Sequence, residues 1–297
     1  MPKLVVVGGG AAGMFCAVNA ARLHPHWEVL VLEKTDRLLM KVKISGGGRC
    51  NVTHHLFDVP DLLPKYPRGG ALLKKELYAF GPAQTIEWFA ARGVDLVAEA
   101  DGRMFPSTHQ SQTIIDSLLR EAHQYKVSVR TQANVLDIQP AGKGERGARL
   151  TLANGENLKA DALCLAIGGF PKLSQFDWLK NLGHHIVPPV PSLFTFNLPQ
   201  HPITALMGVS VPKATVKMAG SKWLEQGPVL VTHWGLSGPA VLRLSARAAL
   251  DLADKAYQFD VLVNWLGDWS ENDLRQEWPI WRQEKGKLLM HKHAPVS

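Results

Sequence analysis

Lys3-Leu4-Val5-Val6-Val7-Gly8-Gly9-Gly10-Ala11-Ala12-Gly13 is the stretch that decides the fold. Lys3 to Val7 runs into three β-branched valines, as expected of a parallel strand buried on both faces. Gly8, Gly10 and Gly13 then take up the GxGxxG spacing. Gly8 permits a tight turn, Gly10 lets the backbone approach a pyrophosphate, and Gly13 lets helix and strand pack closely. Met14 to Leu23 is rich in alanine and predicts a helix. Its N-terminus offers unpaired N–H groups and a partial positive charge to that pyrophosphate. Trp27 to Leu32 predicts the second strand, with Glu33 at its end. That places an acid 20 positions after Gly13, where a carboxylate holds the adenosine ribose hydroxyls and disfavours a 2′-phosphate. Glycines alone are a weak signal. Strand, glycines, helix, strand and acid in this order form a specific dinucleotide fingerprint, and they argue against NADP at this site.

The next informative segment is Ser45-Gly46-Gly47-Gly48-Arg49-Cys50-Asn51-Val52-Thr53. Three consecutive glycines are costly to order, so they belong either to a flexible surface loop or to backbone that passes close to a ligand. Arg49 suits a phosphate and Asn51 a turn or a cofactor edge. Together, the stretches GGGAAGMFCA, LEK and SGGGRCNVT resemble the flavoprotein family that includes aminoacetone oxidase and 3-dehydro-bile-acid reductase, within the glutathione-reductase-like FAD proteins. Ala162 to Gly169 resembles that family's strand ending in a Gly-Gly turn. Leu182 to Ile186 with Pro191-Ser192-Leu193, and Thr232 to Ala240 (THWGLSGPA), match further motifs. The resemblance runs from residue 2 to at least residue 290.

The resemblance implies FAD as the cofactor and leaves two reactions open: reduction of a conjugated enone with NAD(P)H as a transient electron donor, or oxidation of a small amine or ketone with oxygen as acceptor. It places Gly8, Gly10, Ala12 and Gly13 on the pyrophosphate, and Glu33 and Lys34 at the ribose. Lys41, Ser45, Gly46, Gly47, Arg49, Cys50 and Asn51 would line the flavin side, with Gly168 and Gly169 returning the chain to the cofactor. In such folds the backbone of a residue like Val135 pairs with adenine; a core valine is an equally good reading of the sequence itself. The family carries Gly-Arg before the lysine, and Leu39-Met40 stand there instead, so one basic contact is missing. Family members also continue into a glycine-rich C-terminal segment resembling GGYN. The expectation is therefore a truncated chain that keeps the ADP half of the site and loses part of the flavin half.

The 297 residues include 46% hydrophobic and 20% charged side chains, the composition of a globular protein with ample core. No apolar run reaches the roughly 18 residues of a membrane span. The three cysteines, Cys16, Cys50 and Cys164, are far apart in sequence and odd in number, so neither a disulfide framework nor a metal site is expected, and a cytoplasmic setting fits. The net charge of +7 comes with no nucleic-acid recognition motif, so a small-molecule substrate is expected, with no nucleic acid and no membrane. The oligomeric state is not legible.

The expected fold class is α/β: a Rossmann-like, three-layer FAD-binding domain with a parallel sheet (residues 1–187), carrying a β-rich inserted second domain (188–297). Pro188-Pro189-Val190-Pro191 marks the change. Helices are predicted over Phe80 to Arg92, over Ser111 to Tyr125 with Ser111 as cap, and over Ala240 to Leu250. Val127 to Ile138 reads as strand, and Asn154-Gly155 as a hairpin turn. Flavin chemistry asks little of side chains, and only weak catalytic candidates stand out: His233 and Ser237 in the THWGLSGPA segment, and Cys50 as a thiol. Three functions compete: an FAD-dependent oxidoreductase acting on a small organic substrate, an NAD-linked dehydrogenase of another fold, and a catalytically silent nucleotide-binding protein.

Overall fold

A computed structural model describes residues 1–142, 146–170 and 172–287, so the chain's last ten residues, on which the expectation of truncation rests, lie outside the described residues. The chain divides into two compact units, Met1–Pro189 and Val190–Ser297.

In the first unit, β1 (Lys3–Val7), α1 (Ala11–Leu23) and β2 (Glu28–Leu32) are followed by α2 (Met40–Ile44), β3 (Thr53–His54), α3 (Val59–Leu62), α4 (Gly70–Ala79) and α5 (Pro82–Ala90). Then come β4 (Leu96–Ala98), β5 (Arg103–Pro106), α6 (Ser111–Gln124), β6 (Ser128–Arg130), β7 (Val135–Pro140), β8 (Ala148–Leu152), β9 (Asn157–Ala160), β10 (Ala162–Leu165) and α7 (Asp177–Asn181). The central sheet runs β10-β1-β2-β6, and every neighbouring pair in it is parallel.

Side chains alternate across a strand, and this alternation builds two cores. Val6, Val29 and Val31 face helices α1, α5 and α6, packing with Met14, Ala17, Trp88, Ile114 and Leu118. Val5, Val7, Leu30 and Leu32 face the antiparallel β7-β8-β9 sheet, packing with Ile138, Leu150 and Leu152. The result is three layers, with the run that reads as buried strand in the middle one. Arg92 stacks 3.7 Å from the Trp88 ring and pairs with the buried Glu121 carboxylate at 2.6 Å, latching α5 to α6.

Two sequence expectations are corrected here, and a third is refined. Val127 to Ile138 is two strands, not one. β6 ends the parallel sheet, Gln132 turns the chain with φ of 53°, and β7 joins a different sheet. Ser111 opens α6 but does not cap it; its hydroxyl donates to the Lys43 carbonyl at 2.8 Å and is buried. The cysteines, far apart in sequence, include two that the fold makes neighbours, Cys16 on α1 and Cys164 on β10. Burial first, then Cys164 beside it, pushes the Cys16 thiol up to about 11. All three cysteines are free thiols.

The second unit holds β11 (Phe196–Asn197), β12 (Ser210–Met218), β13 (Leu224–Thr232), β14 (Gly235–Ser237), α8 (Pro239–Arg247), α9 (Ala249–Asp254), β15 (Val261–Asn264) and α10 (Glu271–Lys285). Its sheet order is β11-β14-β13-β12-β15, antiparallel throughout. Ala240, Val241 and Leu244 of α8 close a core with Val216, Val229, Val231 and Leu236. The predicted helix from Ala240 to Leu250 is divided at Ala248 (φ −85°, ψ 9°) into α8 and α9. Among the described residues no helix is long and apolar enough to cross a membrane.

Candidate dinucleotide site

β1 runs straight into the glycine turn. Gly8 adopts φ of +110°, and its N–H donates to Leu32 at 2.8 Å. A Cβ on Gly8 would lie 2.3 Å from the Ala166 carbonyl oxygen, and one on Gly13 only 1.8 Å from the Gly8 carbonyl oxygen. Both glycines are there because the chain touches itself. Gly10 is different. Its backbone (φ −82°, ψ −171°) suits any residue, and no atom lies within 4 Å of where its Cβ would be. The fold leaves this space open at the N-terminus of α1. No side chain caps that end and no acid stands in its first turn. Ala11 and Ala12 are exposed there. Unpaired N–H groups facing open space are what a pyrophosphate needs.

Glu33, at the end of β2, is already clamped. One carboxylate oxygen accepts the Gly9 N–H at 2.8 Å and the other accepts the Thr35 N–H at 2.9 Å. Burial pushes its carboxyl up, but the N–H donors of Thr35 and Gly9 outweigh burial and hold it below the usual carboxylate value. The carboxylate is thus fixed in its charged form with acceptor capacity left for sugar hydroxyls. Beside it lies a cavity of about 250 Å³ lined by Gly8, Glu33, Lys34, Asn134, Val135 and Phe170, among others. Lys34 stands 5.7 Å from the centre of the Phe170 ring. The turn that splits the predicted strand brings Val135 to this cavity.

The second glycine segment follows α2. Gly46, Gly47 and Gly48 hold φ of 57°, 68° and 84°, three left-handed residues in a row that only glycine tolerates cheaply. A Cβ on Gly46 would meet the Asn51 nitrogen at 2.7 Å, whereas Gly47 and Gly48 face nothing within 4 Å. The loop is closed by the Cys50 N–H donating to the Ser45 carbonyl at 2.9 Å. Cys50 is buried, and burial pushes its thiol up against a smaller opposing pull from Ser45, which makes it a poor nucleophile. Asn51, with its amide nitrogen turned toward acceptors, donates to the carbonyls of Thr53 (3.0 Å) and Met104 (3.3 Å). The guanidinium of Arg49 lies 4.0 Å from the Phe105 ring centre and pairs with Glu99. Its charge is therefore matched inside the protein. Lys41 is exposed, with its ammonium 3.7 Å from where a Cβ on Gly168 would stand. The structure thus brings Lys41 to the exposed Gly168-Gly169 turn that follows β10.

His233 and Ser237 lie in the second unit. His233 is exposed on the β13–β14 turn, its ring 4.2 Å from that of Trp234. Ser237 pairs with Leu230 in the sheet. At Gly238 (φ 97°) a Cβ would fall 2.7 Å from the Pro228 carbonyl oxygen, so the turn before α8 is closely packed on its own chain. Thr35 and Phe170 were missed in the sequence. A hydroxyl two positions after the strand-end acid was the available signal for Thr35; nothing local marked Phe170.

The model of a family described as HI0933-like protein Rossmann domain matches residues 2–246. The chain is 26% identical over 284 residues to a 3-dehydro-bile acid delta(4,6)-reductase of Clostridium scindens, covering 93% of this chain and 67% of that protein. It is 31% identical over 251 residues to a ribosomal RNA dihydrouridine synthase of Escherichia coli, covering 82% of this chain and 60% of that protein. This chain therefore spans roughly two thirds of the length of these curated relatives. Among solved structures, the open conformation of a flavocytochrome c3 fumarate reductase aligns with a TM-score of 0.50 at 18% identity, over 71% of this chain and 46% of that one, a likeness of fold.

Proposed function

We propose, from the premise that this chain belongs to the HI0933-like protein Rossmann-domain family, that it is an FAD-dependent oxidoreductase that reduces a carbon–carbon double bond conjugated to a carbonyl. The observation that carries the cofactor is the space at Gly10: the fold has no internal use for a missing side chain there, and an anion does. The reaction is supported by what two relatives' names share. A delta(4,6)-reductase of a 3-dehydro-bile acid and a dihydrouridine synthase both saturate a double bond in conjugation with a carbonyl.

In this reading the N–H groups that open α1 and the exposed Ala11-Ala12 backbone hold the pyrophosphate. Glu33 holds the ribose, the Val135 cavity takes adenine, and Lys41 with the two glycine turns meets the flavin side. When bound, the flavin supplies hydride transfer through its N5 position. NAD(P)H is the donor that would replenish it.

Two substrate classes follow from the relatives: a small unsaturated ketone, and the uracil base of RNA. The second departs from the expectation of no nucleic acid and rests on the ribosomal RNA dihydrouridine synthase among the relatives, with which the net charge of +7 is compatible. The test begins with the protein mixed with excess FAD and desalted. Retained flavin absorbance is expected, and its absence with the chain folded would leave a silent nucleotide-binding protein. Flavin reduced by NADH or NADPH without oxygen should then be reoxidised by cyclohexenone or by a uridine-containing RNA, with a product two mass units heavier. Reoxidation by oxygen alone would rule out the reductase reading.

A further inference from the structure

Helix α4 buries none of its ten residues. Leu72 is 84% exposed and Tyr78 58% exposed. Short helices owe most of their stability to packing, so a helix this bare is suited to being covered. The charge around it is one-sided. Residues 65–80 hold Lys65, Arg68, Lys74 and Lys75 against the single acid Glu76. Lys65, Lys74 and Lys75 take part in no ion pair among the described residues. Lys74 and Tyr78 stand one turn apart on the same face of the helix.

At the two ends of the helix, Tyr66 and Phe80 are each about two-fifths exposed. With Leu77 they line a cavity of about 340 Å³ whose other lining residues include Asn51, Thr53 and Thr85. Asn51 follows the Gly46–Gly48 loop, and its backbone nitrogen lies 2.7 Å from where a Cβ on Gly46 would stand, so this cavity and the flavin-side loop are adjacent. Aromatic rings for stacking, polar groups for a base edge, and unpaired ammonium groups for phosphates are the combination that binds single-stranded nucleic acid. An acidic peptide would use the lysines but has no need of a base-sized cavity with two half-exposed rings.

We propose that the α4 face is the docking surface for single-stranded RNA. Phosphates lie on Lys65, Lys74 and Lys75, one base stacks on Tyr78, and another enters the cavity between Tyr66 and Phe80. This rests on the RNA reading of the substrate given above.

The test uses the full chain with FAD added and a fluorescein-labelled 12-nucleotide oligouridylate, read by anisotropy across a salt series. Lys74→Glu with Lys75→Glu should weaken binding at least tenfold and lower the salt slope by about 1.4, the value for two contacts on a single strand. Tyr78→Ala should weaken it about tenfold with the salt slope unchanged. The control pair Arg149→Glu with Lys159→Glu, equal in charge but on the β8–β9 hairpin of the same unit, should stay within twofold. Equal losses in both pairs, no binding by the unaltered protein, or anionic phospholipid vesicles competing through the same lysines would each overturn the proposal. Cyclohexenone reduction by the same preparations separates the two readings. No RNA binding by the unaltered protein with its ketone reduction intact removes the docking surface and leaves the reductase standing; neither activity in the unaltered protein removes both.

Discussion

The two glycine-rich segments of the first unit look alike in sequence and work differently. In the Gly8–Gly13 turn, two of the three spaced glycines are required by the chain itself, because Gly8 and Gly13 sit where a Cβ would strike a carbonyl. In the Gly46–Gly48 loop only Gly46 is crowded, while Gly47 and Gly48 are needed for their left-handed backbone and open on empty space. The comparison teaches that a glycine motif mixes positions the fold itself requires with positions it leaves open, and the open ones are where the proposal puts a ligand. The empty shell around Gly10, Gly47 and Gly48 separates the two kinds.

The sharpest way to break the comparison is Gly13→Ala. Its Cβ meets backbone rather than a movable side chain, so the loss of stability should be about 3 kcal/mol or more, read by urea unfolding. A loss under about 1 kcal/mol would mean that the turn gives way easily and that the contrast with Gly10 is false. Gly10→Ala should do the reverse. Stability should hold within about 0.5 kcal/mol, while FAD affinity, measured by flavin fluorescence quenching, should fall about a hundredfold, some 2.7 kcal/mol. Unchanged affinity would remove the pyrophosphate from that space.

Glu33→Gln should weaken FAD or ADP binding about tenfold, equivalent to some 1.4 kcal/mol. It should also change the acid limb of stability. The folded carboxyl lies below its ordinary value of 4.5, so the charged form's contribution is complete above that pH and fades as pH falls through the lower folded value. The stability gap between the parent and the glutamine variant should therefore be flat from pH 5 to 8 and shrink below about 4.5. A gap that grew toward acid would reverse the assignment. The smallest effect is expected for Gly47→Ala, about 1 kcal/mol from forcing a side chain into a left-handed backbone, with no clash to add. A larger loss of stability would place Gly47 with the crowded glycines.

Much of the first unit was legible because its signals are local. Leu4 to Val7 as strand, the glycine spacing, and Glu33 at the next strand's end each follow from a few neighbouring residues. What the sequence hid was set at a distance. Arg49 read as a phosphate ligand, and nothing local shows that Glu99, fifty positions away, pairs with it. Ser111 read as a cap because nothing local says that its hydroxyl reaches the Lys43 carbonyl. The turn at Gln132 that divides the predicted strand depends on Thr35, whose carbonyl accepts the Gln132 N–H, and no periodicity shows that. Helix α4 escaped notice for the opposite reason. It buries nothing, so it leaves no apolar stripe to read.

The clamp on Glu33 has a kinetic consequence. Its carboxylate is held by the Gly9 and Thr35 N–H groups within this chain alone, and the left-handed glycine turns are likewise formed without help. The proposed nucleotide site is therefore expected to need no slow rearrangement before binding. In a stopped-flow experiment the observed rate should rise in proportion to ADP concentration without levelling off, because encounter, rather than a waiting step in the protein, sets the pace.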